Sequence, residues 1–283
     1  MFGEPQMLRL TIIVGFAIEV IHQGDQVQGD YNSMKMKLFE KTIRVITTLA
    51  LGVLICGGTT HRASALTLAW SAEFNGSGAP GWTYDLGAGG WGNNELETYV
   101  NSLANCLQTG GHLQIEAQTD TSHRWYSARI HTHPWGPYGY IEYRCQFPRS
   151  GQGYWPAGWM LGNNIGSVGW PACGEIDVAE EIDGQSTNHQ SLHMPGWDPT
   201  VSHSCSTGYD SYGAYWQNGY VTFSQNGANT ATYTSAGHNW PFTKQQFILL
   251  NLAIGGNWPG NPNGSTQPNG NYNIDYVRQY SGT

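Results

Sequence analysis

The chain has 283 residues, of which 12 are Lys or Arg and 20 are Asp or Glu, for a net charge of −8, and only 11% of its residues are charged. The acidic balance and the absence of a basic stripe exclude nucleic acid as a natural partner and disfavour strongly anionic polymers. With 12 Trp, 16 Tyr and 38 Gly, the composition suits a neutral, ring-faced ligand instead.

In chain order, residues 36–44 form a basic leader, and residues 45–56 an apolar stretch of signal-peptide length, too short for a comfortable membrane span. Ala63-Ser64-Ala65 supplies a small-residue cleavage site. With Met34 or Met36 as the expected start, 34–65 reads as a signal peptide. Residues 1–33 read as upstream sequence or an extra leader; their own apolar stretch is broken by Glu19 and is a weak membrane candidate. The expected mature protein is a single domain, 66–283, secreted to the exterior or the periplasm, monomeric, and free of the membrane after cleavage. Its 218 residues hold 6 basic and 15 acidic side chains. Cys106, Cys145, Cys173 and Cys205 remain after cleavage, and one bridge, two or none are all compatible with export.

Short segments alternating with Gly, Pro, Asn and Ser dominate this region, and long helical periodicity is absent. Leu113 and Ile115, residues 141–147, and Val221 with Phe223 show a period of two. Residues 247–254 are almost wholly apolar, as in a strand covered on both faces, with Asn251 as the exception. Residues 257–273 read as a loop, followed by a strand over 274–280. Many short strands separated by turn signals predict an all-β sandwich.

The chemistry concentrates in Glu175-Ile176-Asp177-Val178-Ala179-Glu180-Glu181, four carboxylates in seven residues, with Trp155, Trp159 and Trp170 just upstream. Carboxylates this close repel, which raises the pKa of at least one. Strict alternation would put Glu175 and Asp177 on one face and turn Glu180 away. A β-bulge adds one residue and returns Glu180 to that face, leaving Glu181 on the opposite side. Glu175 and Glu180 then lie roughly 12–13 Å apart at Cα, at about 3.3 Å per residue. Leaning side chains can close this to roughly 5 Å between carboxyls, the separation of retaining glycosidases.

Glu175-Ile176-Asp177-Val178-Ala179-Glu180 resembles the E-x-D-x-x-E signature of glycoside hydrolase family 16, and the chain is similar to the bacterial laminarinases of that family from about Leu68 to Tyr280. Supporting stretches are residues 70–75 (WSAEFN), 91–97 (WGNNELE), 127–130 (SARI), 151–162 (GQGYWPAGWMLG), 170–174 (WPACG), 255–260 (GGNWPG) and 274–278 (IDYVR). The resemblance implies a concanavalin A-like β-sandwich jelly roll with a concave substrate cleft. It makes Glu175 the nucleophile, Glu180 the general acid/base and Asp177 their modulator. It also implies substrate contacts from Asn94, Arg129, Trp155, Trp159, Trp170, His193 and Trp258. Trp70, Trp82, Trp216 and Trp240 are expected in the core, while His131 and His133 are expected to share a strand face as a polar rim. Glu97 stands where similar enzymes often carry Gln, and Ala179 where they usually carry Met. No cofactor is implied for the chemistry, but a structural calcium ion is, near Glu73, Gly111 and Asp275.

The expected activity is endo-hydrolysis of β-1,3-glucan, a polysaccharide of the laminarin type, by retention. Mixed β-1,3/1,4-glucan is the alternative substrate, disfavoured because enzymes strict for it carry the unbulged E-x-D-x-E spacing. A non-hydrolytic glucan-binding protein is a further alternative, opposed by the presence of both Glu175 and Glu180.

Overall fold

Alternation of burial decides where the strands run. In Gly139–Gln146 every second side chain is buried, and His112–Thr119 follows the same rule. Gln246–Ile254 is buried almost throughout, as its apolar run predicts for a strand covered on both faces.

The computed structural model describes residues 66–281. The expected signal peptide and upstream leader lie outside the described residues. The strands are β1 (Thr67–Ala72), β2 (Thr83–Tyr84), β3 (Glu97–Tyr99), β4 (Cys106–Thr109), β5 (His112–Thr119) and β6 (Trp125–Ser127). They continue with β7 (Arg129–His131), β8 (Gly139–Gln146), β9 (Tyr154–Gly162), β10 (Glu175–Glu180), β11 (Thr187–His193) and β12 (Thr200–Ser204). The last are β13 (Asp210–Gln217), β14 (Tyr220–Gln225), β15 (Ala228–Thr234), β16 (Gln246–Ile254) and β17 (Gly270–Ser281). One helical turn, α1 (Ile165–Val168), joins β9 to β10.

These strands form two sheets. Seven run in the order β12-β11-β10-β9-β16-β7-β2. The larger sheet runs β15-β14-β13-β8-β17-β5-β6-β3, with β1 on β17 and β4 on β5. All pairings are antiparallel except β3 with β6. Ile176, Val178, Met160, Leu250 and Leu252 of the smaller sheet and Tyr143, Ile141, Tyr212, Trp216 and Val277 of the larger belong to one buried cluster. Each such side chain contributes roughly 1.5–3 kcal/mol on leaving water, which makes this sandwich core the main source of stability. The architecture is the expected all-β jelly roll.

Two expectations need adjustment. Strand β17 begins at Gly270, so the end of the anticipated 257–273 loop is strand; Tyr272 is fully buried there and pairs with Ile115. Of the four tryptophans expected in the core, Trp216 is fully buried, while Trp70, Trp82 and Trp240 pack against it from its margin. The four described cysteines are buried free thiols.

Candidate active site

Strand β10 lies between β9 and β11, and its register shifts once on each side. Asp177 pairs with Trp159 and Ser191, whereas Glu180 pairs with Ala157 and His189. The shift is the β-bulge that the spacing of the acids predicts. It sends Ile176, Val178 and Ala179 into the core and keeps Glu175, Asp177 and Glu180 together on the other face. Gly174 makes the entry possible: its φ is +80°, and a Cβ there would meet Pro241 and Phe242 at 2.9–3.0 Å.

Register then places the neighbours. Next to Glu180 lie Ala157 of β9, Asn251 of β16 and Arg129 of β7, and on the other side His189 and Ser202. Next to Asp177 lie Trp159, Leu249 and His131, and on the other side Ser191 and Thr200. Glu175 stands beside Leu161 and His193.

Each acid has its own partners. Trp155 Nε1 donates to Glu180 Oε1 at 2.7 Å, and the Glu180 backbone N–H is fixed by Asn188 Oδ1 at 2.9 Å. His193 Nε2 lies 3.1 Å from Asp177 Oδ2 and 4.0 Å from Glu175 Oε1, while its Nδ1 lies 3.2 Å from Asp198 Oδ1. The Trp170 indole favours the charged form of Glu175. Arg129 is held by Asp85 at 3.0 Å and sits 4.9 Å from the Trp159 ring and 5.0 Å from the Trp91 ring.

Electrostatics separates the two glutamates. Burial raises both carboxyls, and the charge of Asp177 raises them further. Glu180 is driven well above the carboxylate range, which keeps its proton in place. Glu175 is held to about 8, because His193, Arg129 and the Trp170 indole all oppose the rise. Burial would neutralise His193, but its contact with Asp177 and the charges of Asp177, Glu175 and Glu180 outweigh it and lift the imidazole to about 10. A cation therefore stands against Glu175 and Asp177, and a protonated acid stands at Glu180. This asymmetry is what a nucleophile and a proton donor require.

The aromatic residues expected at the substrate gather around this row. Trp170 is 58% and Trp258 42% exposed, unusual for indoles not reserved for a ligand. Trp170 lies 6.0 Å from the His193 ring at the Glu175 end. Trp258 lies at the Glu180 end, edge-on to Trp155 at 5.6 Å and to His189 at 4.9 Å. Trp159 is anchored by its Nε1 bond of 2.7 Å to Asn251 Oδ1. Asn94, exposed and at φ +59°, hydrogen-bonds Asn257 at 2.8 Å and so ties the 90–97 loop to the Trp258 loop. Asp85, Asn188, His189, Asp198 and Asn251 were not among the candidates. Only Asn251 carried a local signal, as the one polar residue inside an apolar strand.

Other expectations are corrected. His131 lies 3.0 Å from Asp85 Oδ1 while His133 is exposed beyond the end of β7, so they share no strand face. Glu181 points away from the acid row as expected, and there it is fully buried and paired with Arg149. The acidic side chains at the expected calcium site have other partners: Glu73 pairs with Arg278 through two hydrogen bonds of 2.8–2.9 Å, and Asp275 pairs with Arg144. A carboxylate already neutralised by an arginine is a poor cation ligand, so Asp275 as paired does not fit calcium, whereas the backbone oxygens expected from Glu73 and Gly111 are not engaged by these pairs. Glu175, Asp177 and His193 place ligand atoms within 4.8 Å of one another, but the charged imidazole has no lone pair to give a metal.

A two-sheet sandwich with paired carboxyls of unequal acidity, flanked by exposed indoles, defines a glycoside hydrolase. A family model described as the XgeA-like catalytic domain of glycoside hydrolase family 16 matches residues 114–218. The chain is 31% identical over 253 residues to a glucan endo-1,3-beta-glucosidase of Cryptopygus antarcticus, covering 77% of this chain and 93% of that protein. It is 34% identical over 233 residues to the clotting factor G alpha subunit of Tachypleus tridentatus, covering 75% of this chain but spanning only 34% of that protein. The laminarinase catalytic domain of Thermotoga petrophila superposes with a TM-score of 0.71 at 33% identity, covering 78% of this chain and 99% of that one. The chain belongs to glycoside hydrolase family 16.

Proposed function

We propose that the protein is an endo-acting β-glucanase that cleaves internal β-1,3 bonds of laminarin-type glucans with retention of configuration. The bulge in β10 carries this reading, because it sets Glu175 and Glu180 on one face with Asp177 between them. Glu175, faced by the His193 cation, attacks the anomeric carbon as Glu180 gives its proton to the leaving oxygen. Glu180 then takes a proton from water, and the hydroxide releases the sugar from Glu175. Asp177 holds His193 and, by its charge, keeps the proton on Glu180. Carboxyls and water suffice, so no cofactor enters the chemistry. Trp170 and Trp258, exposed at the two ends of the row, serve as stacking platforms for successive sugars, with Trp155, Trp159, Arg129 and Asn94 forming the walls between them.

The protein acts as a secreted monomer in this reading, on the strength of the leader at 34–65. Among the described residues, no helix is long and apolar enough to cross a membrane. Rates on laminarin, lichenan, agarose and carboxymethylcellulose test the substrate assignment. Laminarin should be the fastest, and a faster rate on lichenan would move the assignment to mixed-linkage glucan.

A further inference from the structure

The residue beside Glu180 on β11 is a histidine that the reaction leaves unused. His189 pairs with Glu180 in register, and alternation along β11 puts its side chain on the same face as His193. Its Nδ1 lies 2.8 Å from the hydroxyl of Ser202, the residue directly opposite on β12. Its Nε2 is buried, yet no hydrogen-bond partner meets it among the described residues. What packs against the ring is Trp258, with ring centres 4.9 Å apart and planes inclined at 69°. Trp258 in turn lies edge-on to Trp155 at 5.6 Å, and the Trp155 indole bonds Glu180. The path from Ser202 through His189 thus ends on an indole that is 42% exposed.

Burial pushes the His189 imidazole below its ordinary value, so at pH 7 the ring is neutral, with one N–H and one bare nitrogen. The Ser202 hydroxyl can donate to Nδ1, which leaves the proton for Nε2. A buried N–H that lacks an oxygen partner is stabilised against the electron-rich face of an aromatic ring, whereas a buried lone pair there is repelled. The steep angle between the two rings suits such an edge-to-face contact. We propose that His189 carries its proton on Nε2 and donates it to the face of Trp258, acting as a positioning residue that fixes this indole for stacking on a sugar ring. Ser202 selects the tautomer, and Trp155 ties the indole to Glu180. The tautomer stands on the geometry of these side chains alone, whereas the stacking role rests on the glucanase reading.

Long-range proton–nitrogen correlation NMR of the wild type at pH 7 reads the tautomer, with H189F identifying the His189 signals by their loss. Nε2 should be protonated and Nδ1 bare, and the Nε2 proton should resonate upfield under the ring current of the indole. In W258L that upfield shift should vanish. A proton on Nδ1, or an Nε2 proton unmoved by W258L, would overturn the proposal.

Positioning is read from KM and kcat on laminarin and from the tryptophan bands of near-UV circular dichroism. H189F keeps the bulk of the ring without its N–H, and H189Q returns an N–H within similar reach. H189F should raise KM several-fold with a smaller change in kcat and should alter the tryptophan bands, and H189Q should recover part of both. In the W258L background H189F should raise KM no further, because one residue acts through the other. An equal effect of H189F with and without Trp258, or a loss confined to kcat, would overturn the positioning role. Inactivity of the wild type on laminarin would overturn the glucanase reading instead, leaving the NMR and dichroism comparisons decisive for His189.

Discussion

At the scale of residues, the proposed reaction rests on one difference: Glu180 holds its proton more firmly than Glu175, whose rise His193 opposes. His193 enforces that difference, lying 3.1 Å from Asp177 and 4.0 Å from Glu175, with Asp198 at 3.2 Å on its other nitrogen. Replacing it with Ala removes the cation that holds Glu175 down. The acid limb of kcat/KM, set by ionisation of the nucleophile, should then move to higher pH by about one unit. An unmoved limb would mean that the imidazole does not govern Glu175. E180A should lower kcat by roughly 100- to 10,000-fold on unactivated glucan. E175A should lower it at least as far, with melting little changed in both. The three catalytic candidates were legible in the sequence because they are neighbours along the chain. Asp198 was not, because nothing in the loop that carries it announces a histidine partner five residues away.

At the scale of elements, β10 is the decisive strand. Its bulge was readable from the spacing of Glu175, Asp177 and Glu180, since two faces and one extra residue leave a single arrangement that unites them. Deleting Val178 removes the extra residue and leaves the unbulged E-x-D-x-E spacing, so Glu180 should stay on the face of Glu175 and Asp177 by strict alternation. Hydrolysis should survive, with its rate on lichenan raised relative to laminarin. Complete loss of activity on both would contradict this reading of the bulge. The next residue shows what spacing cannot tell. Spacing put Glu181 on the opposite side but named no partner for it; it is fully buried against Arg149, 32 positions earlier, with the Ser186 N–H at 2.8 Å. Burial raises Glu181 to about 7 even with Arg149 opposing. The folded group thus holds a proton that the unfolded chain loses near 4.5, and stability falls as pH rises between those values. In R149A the charge has no partner, so the variant should lose about 3 kcal/mol at pH 8 and clearly less at pH 5. A loss equal at both pH values would remove Glu181 from that explanation.

At the scale of the whole molecule, the two sheets divide the labour. The larger sheet supplies the opposing half of the core, and the smaller exposes β7, β16, β9, β10 and β11 side by side under the acid row. The alternation of residues 141–147 and the apolar run of 247–254 made the sandwich legible, and resemblance supplied its jelly-roll connectivity. The links between distant strands were not legible, because register alone brings Asn251 to Trp159 and Glu97 to Ile254. The ends of the described chain are tied by β1 pairing with β17 and by Glu73 with Arg278, and Asp275 is already held by Arg144. EDTA should therefore leave the melting temperature unchanged, and a fall would show that an ion binds despite these arginines.

The central claim is that Glu175 and Glu180 cleave by double displacement, and proton NMR of the anomeric region during the first minutes of laminarin hydrolysis tests it most directly. The account predicts that the newly formed reducing ends appear first as the β-anomer and convert to the α-anomer only by mutarotation. Reducing ends that appear first as the α-anomer would contradict it.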